Sequence, residues 1–144
     1  MKRIICVLLA LCLLPAFAFA IDLTEFNVFA SVLGASELDI KDASVSGNHI
    51  GFVKDGCKIY IDEKGGKIDG IYIDGQGDSF LAYCSAAVHV FDPNGSTTQN
   101  NGQLLTMYLM AHETTDYMTG QTQNDYYFFV QKQDNSFFFM IGET

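Results

Sequence analysis

The stretch from Asp55 to Asp92 constrains the fold more than any other part of the chain. It reads DGCKIYIDEKGGKIDGIYIDGQGDSFLAYCSAAVHVFD. Apolar residues alternate on both sides of Lys64-Gly65-Gly66, which marks a β-hairpin, and Asp55-Gly56 marks a tight turn just before it. Beyond Gly75-Gln76-Gly77 the period changes. Phe80, Tyr83, Cys84, Ala87, Val88 and Phe91 recur at three- and four-residue steps, the apolar stripe of a helix. Asp78 or Ser79 is expected to cap it, and Asp92-Pro93 ends it, because a residue before proline avoids helical geometry. A hairpin that runs straight into an amphipathic helix must lay that helix on one face of its sheet.

A three-residue turn at Lys64–Gly66 sets the expected hairpin register. It places Glu63 opposite Lys67, Ile59 opposite Ile71 and Cys57 opposite Ile73. Cys57, Ile59, Ile61, Ile71 and Ile73 then share the core face, and Tyr60 and Tyr72 fall on the opposite one.

Cys57 and Cys84 therefore point into the same helix–sheet interface. They are the only cysteines beyond residue 20, and an even pair in an exported chain is the usual setting for a disulfide. A bridge closing their loop is worth roughly 3.6 kcal/mol on the chain-entropy account. We expect the bridge; two free thiols packed as small hydrophobes are the alternative. The wide spacing is not that of a redox motif.

Export is read from the first twenty residues. Lys2 and Arg3 precede the apolar run Ile4–Leu14, Pro15 breaks it, and Ala18-Phe19-Ala20 forms a small-x-small cleavage pattern. The run is too short to span a bilayer, which takes about 20 residues. Cleavage after Ala20 leaves residues 21–144 as a single domain, secreted or periplasmic and not inserted in the membrane. Without Lys2 and Arg3 the formal charge of −9 becomes −11, from six lysines and no arginine. A chain this acidic is repelled by phosphate backbones, so nucleic acid is excluded as a partner.

The remaining elements follow from the same periodicities. Phe26, Phe29, Ala30 and Leu33 predict a helix over residues 21–33, ended by Gly34. Residues 35–48 read as a short strand with turns, and His49–Lys54 as a strand. Residues 94–101 read as a polar loop, Gln103–His112 as a third helix, and 114–125 as a second polar loop. Tyr126–Lys132 and Ser136–Ile141 form a closing hairpin, apolar on both faces, so each face wants cover. The segment Phe26–Val32 resembles Phe80–Ala86 in pattern, which suggests two α-then-β halves. The predicted fold is α+β: an antiparallel sheet of five or six strands with about three helices mainly on one face.

No pattern of catalytic residues stands out. His49, His89 and His112 lack metal-ligand spacing, and the chain has no GxSxG, SxxK or glycine-rich phosphate loop. Asp92-x-Asn94-x-Ser96 has the alternating oxygens of a calcium loop but lacks its glycine and closing glutamate. The reading is no metal and no cofactor. The candidate surface is aromatic: Tyr60, Tyr72, Tyr127, Phe129 and Phe138, residue types that anchor interfaces. These residues suggest a non-catalytic binding module whose partner is another protein or a second copy. The alternatives are a small secreted hydrolase whose carboxylate and histidine meet only in three dimensions, and a purely structural homodimer.

Overall fold

The computed structural model describes residues 21–143, and the export signal read in residues 1–20 lies outside them. The chain runs α1 (Thr24–Val32), a 3-10 turn (Ile40–Asp42), β1 (Ser44–Ser46), β2 (His49–Lys54), β3 (Cys57–Lys64), β4 (Lys67–Gly75), α2 (Gly77–Phe91), α3 (Thr97–Ala111), β5 (Met118–Gln121), β6 (Tyr127–Lys132) and β7 (Phe137–Gly142). Every strand pairing is antiparallel, in the spatial order β1-β2-β3-β4-β7-β6-β5. Among the described residues the fold is α+β with three helices, as expected, and the sheet has seven strands rather than five or six. Residues 24–75 supply α1 and four strands of the sheet, and residues 77–142 supply the other helices and the remaining three strands. The two halves meet along β4 and β7.

Alternation sorts the sheet into two faces. Ile50, Ile59, Ile61, Ile71, Ile73, Phe128, Phe139 and Ile141 are completely buried. They pack beneath the helices in one core with Phe26, Phe80, Tyr83 and Val88. The stripe read on α2 is correct at every position: Phe80, Tyr83, Cys84, Ala87, Val88 and Phe91 are all buried. Helix α1 ends at Gly34, whose φ of +89° suits glycine best. Among the described residues no helix is long and apolar enough to cross a membrane.

The turn at the centre of the chain differs from the expected one. Gly65 and Gly66 both have positive φ, so the turn has two residues and places Lys64 opposite Lys67 and Glu63 opposite Ile68. Two glycines in this geometry match the right-handed twist of the flanking strands. A bulge then leaves Asp69 without a partner and shifts the pairing by one, so that Ile61 faces Ile71 and Ile59 faces Ile73. The expected register, with Ile59 opposite Ile71, is therefore corrected by two residues. The face assignment survives because the bulge returns the isoleucines to the core side.

Asp55 ties three elements together. It forms a two-residue turn with Gly56, at φ of +50° and +75°. Its carboxylate accepts from the Ser36 N–H at 2.7 Å and the Ser36 hydroxyl at 2.8 Å. The buried Tyr83 hydroxyl also donates to it, at 2.8 Å, and lies 2.8 Å from the Ser36 carbonyl. Hydrogen bonds from Ser36 hold the Asp55 carboxyl below its ordinary value. The loop after α1, the β2–β3 turn and α2 thus share one polar junction.

Two elements begin where the sequence reads as loop. Helix α3 starts at Thr97 rather than Gln103, because the Ser96 hydroxyl accepts from the Gln99 N–H at 3.3 Å and Asn100 is buried against α2. Strand β5 forms the edge of the sheet from a polar segment. Its buried Gly120 lies under the Phe128 ring, where an added Cβ would come within 2.4 Å of ring carbons.

Cys57 and Cys84 are free thiols, so the expected bridge is not formed. Both lie in the predicted interface and are completely buried. The Cys57 sulfur packs against Gly75, where it takes the space that a Cβ would occupy. Burial pushes both thiols up, Cys84 the further, which disfavours the thiolate needed for oxidation. They act as small hydrophobic fillers.

Candidate functional site

Among the described residues α2 and α3 cover one side of the sheet, with α1 packed against α2, and the other side carries an aromatic row. Tyr60 on β3 pairs with Tyr72 on β4, Tyr72 with Met140 on β7, and Met140 with Phe129 on β6. The row crosses four adjacent strands. Phe138 lies two residues from Met140 along β7, and Tyr127 two residues from Phe129 along β6, so both share this face. All five aromatic residues singled out in the sequence therefore stand on one surface. Tyr60 is 45% exposed and Tyr127 41%; Tyr72, Phe129 and Phe138 are half-buried. The Tyr72 and Phe138 rings stack with centroids 6.4 Å apart, and Tyr117 meets Phe129 edge-on at 6.1 Å.

Two glycines set the posture of the tyrosines. A Cβ at Gly51 would lie 3.3 Å from two ring carbons of Tyr60, and one at Gly70 would lie 3.4 Å from the end of the Tyr72 ring. Each ring thus rests over a glycine and covers its backbone. Side chains at these two positions would push the rings outward.

A polar group borders the row. His49 sits opposite Asp62 across β2 and β3, and its Nδ1 is 2.5 Å from Asp62 Oδ1. A carboxylate only accepts, so Nδ1 donates and Nε2 is left free. Burial pushes the Tyr72 phenol up, and the charges of Asp62 and Asp69 beside it add to the shift. Lys58 lies directly opposite Asp74, one row away.

The other histidines are packed against aromatic rings. His89 stacks on Phe29 at 4.3 Å, and His112 meets Tyr108 and Phe137 at 5.1 and 4.7 Å. Among the described residues no group of three His, Cys, Asp or Glu could hold a metal ion. Asp92, the first residue of the calcium-like spacing, instead accepts from Asn124 Nδ2 at 2.6 Å and anchors the β5–β6 loop. Ser96, the last, caps α3.

A hydrolase needs a histidine and a carboxylate inside a cavity that admits substrate. The best-formed clefts lie on the helix side or at the sheet ends. One of about 240 Å³ runs between α2 and α3 and is lined by Leu33, Leu81, Leu104 and Leu105. A second, of about 570 Å³, joins Asp92 to Glu143 and Asn124 and contains no histidine; a third, of about 550 Å³, is lined by His112, Glu113 and Asp134, all three of them exposed to solvent. His89 and Asp92 share an enclosed cavity with no room for even a water molecule. His49 and Asp62 do meet, but on the open sheet face, where the His49 side chain is 61% exposed.

Compared with protein families, curated proteins and solved structures, the chain matches none.

Proposed function

We propose that the chain is an exported, non-catalytic binding module that acts through the open face of its sheet. The observation that carries this reading is the row Tyr60–Tyr72–Met140–Phe129, flanked by Phe138 and Tyr127 and uncovered by any helix among the described residues. Exposed aromatic groups are costly to leave in water and are the residues around which interfaces form. Export follows from the basic, apolar and small-x-small segments of residues 1–20. Secretion to the periplasm or beyond places the face among envelope or extracellular ligands. The test is capture from the native envelope with wild-type protein and with the Tyr60→Ala/Tyr72→Ala double variant. The expected result is a captured ligand that is lost with the double variant while its thermal melt stays cooperative. An identical set of captured ligands from the folded double variant removes this face from the account.

A further inference from the structure

One row of residues crosses the whole open face. From Ser44 on β1 to Thr119 on β5, through Tyr60, Tyr72, Met140 and Phe129, one residue of each of the seven strands stands opposite the next. In a twofold interface residue i meets residue j of the partner and j meets i, so a face pairs with a copy of itself only if its two halves complement each other. A half-turn about this row lays the row on itself. On each strand it also exchanges the residue two places before the row with the residue two places after it.

The exchanged positions complement each other. On β3, Lys58 comes to face the partner's Asp62, and Asp62 the partner's Lys58. Among the described residues Lys58 has no ion pair of its own, and the one ion pair of Asp62 is with His49. On β7 the Phe138 ring comes to lie over the partner's Gly142, which has no side chain. On β4, Asp74 faces the partner's Gly70, so no carboxylate of these rows opposes another.

The size of the face fits the same partner. It spans six strand spacings of about 4.8 Å and strands of about six residues at 3.4 Å each, roughly 600 Å². A standard interface takes about 600–1,000 Å² from each partner, so the sheet face reaches that class before the relief of its side chains is counted. The sheet edges are poorer docking sites. At β5 the Gln103 side chain already pairs with the Gln121 backbone, accepting from its N–H at 3.1 Å and donating to its carbonyl at 3.0 Å. At the other edge β1 offers only three residues.

We propose, resting on the binding reading above, that the occupant of the open face is a second copy of this chain, related by a twofold axis along the Tyr60–Tyr72–Met140–Phe129 row. The two sheets pack face to face with their strands aligned within about 30° and the helices on the outside. An interface at the small end of its class holds in the micromolar range, so dilute copies are monomers with the face open. In an envelope capture the retained ligand is then the untagged chain itself.

The test is sedimentation equilibrium of the purified protein between about 1 and 300 μM. Wild type is expected to pass from monomer to dimer and no further. Lys58→Glu sets like charges together twice in each dimer, as does Asp62→Lys, and each should weaken dimerisation by roughly tenfold or more. An equimolar mixture of these two variants, both with cooperative thermal melts, should dimerise as wild type does, because each contact then joins opposite charges. The Tyr60→Ala/Tyr72→Ala variant should stay monomeric. The proposal is overturned by a dimer that Lys58→Glu and the double tyrosine variant leave intact, or by a mixture that fails to restore it. A wild type that stays monomeric, while the double variant still loses a captured envelope ligand, overturns the second copy and keeps the face as a binding surface. A monomer whose envelope capture is unaffected by the double variant overturns both readings.

Discussion

Adjacent residues of β3 should differ sharply in what they contribute to stability, because one points into the core and the next into solvent. Ile59 is completely buried between the sheet and the helices and pairs with Phe52 and Ile73. Truncation to alanine removes three carbons and leaves a cavity beneath α2, which costs about 2–5 kcal/mol. Tyr60 is 45% exposed, rests on Gly51 and pairs with Tyr72. Its removal forfeits one cross-strand contact, worth about 0.2–1 kcal/mol. For a domain of this size, 1 kcal/mol moves Tm by about 3–5 °C. Ile59→Ala should therefore melt about 6–25 °C lower than wild type, and Tyr60→Ala less than about 5 °C lower. Urea titrations should show the same ranking in midpoint with similar slopes. If Tyr60→Ala costs as much as Ile59→Ala, the tyrosine is covered, and the open face on which the functional reading rests does not exist.

Other consequences can be checked with single variants or simple chemistry. Tyr83→Phe keeps the buried ring but removes the hydroxyl that donates to Asp55; it should lower stability by about 1–2 kcal/mol in urea, and no change would show that the junction of α1, β2–β3 and α2 does not bear on stability. Cys57 and Cys84 should resist alkylation in the folded protein, because burial raises both thiols, and should both react in denaturant without reductant. Failure of both to react in denaturant would show a bridge. The Asp55 and Asp92 carboxyls are held below their ordinary value of 3.8; burial opposes this at Asp92, and the polar groups of Thr122, Asn124 and Gly95 outweigh it. A depressed carboxyl stabilises the fold above its unfolded value and loses that contribution as pH falls through the folded one. Stability should therefore drop below about pH 4 in wild type and less steeply in an Asp55→Asn/Asp92→Asn variant; equal slopes would show that neither carboxylate is linked to folding.

The parts of the fold that the sequence made legible are those where one strong period acts alone. The α2 stripe and the isoleucines of β3 and β4 were readable because burial on one face imposes a strict repeat of 3.6 or 2. The same alternation places Tyr60 and Tyr72 on the outer face, and Tyr127, Phe129 and Phe138 join them there. Elsewhere, local signals compete. Lys64-Gly65-Gly66 allows turns of two or three residues, and the bulge at Asp69 that decides the register is marked only by the Asp69-Gly70 pair inside the strand. Helix α3 begins in a run of Thr, Gln and Asn whose helicity depends on the Ser96 cap and on packing against α2. Strand β5 is polar because it is an edge strand that buries only Gly120 against Phe128. The proximity of His49 and Asp62 depends on register across two strands, which no single-strand pattern contains. The thiols were placed in the right interface, but proximity and burial alone do not make a bridge.

The most direct test of the central claim is residue-resolved NMR of the labelled protein as ligand captured from the envelope is added. The account predicts that the largest shifts cluster at Tyr60, Tyr72, Phe129, Phe138 and His49, while the helix-side cleft at Leu33, Leu81 and Leu105 stays unperturbed. Shifts confined to that cleft, or to the cleft at Asp92 and Glu143, with the aromatic row unchanged, would contradict it.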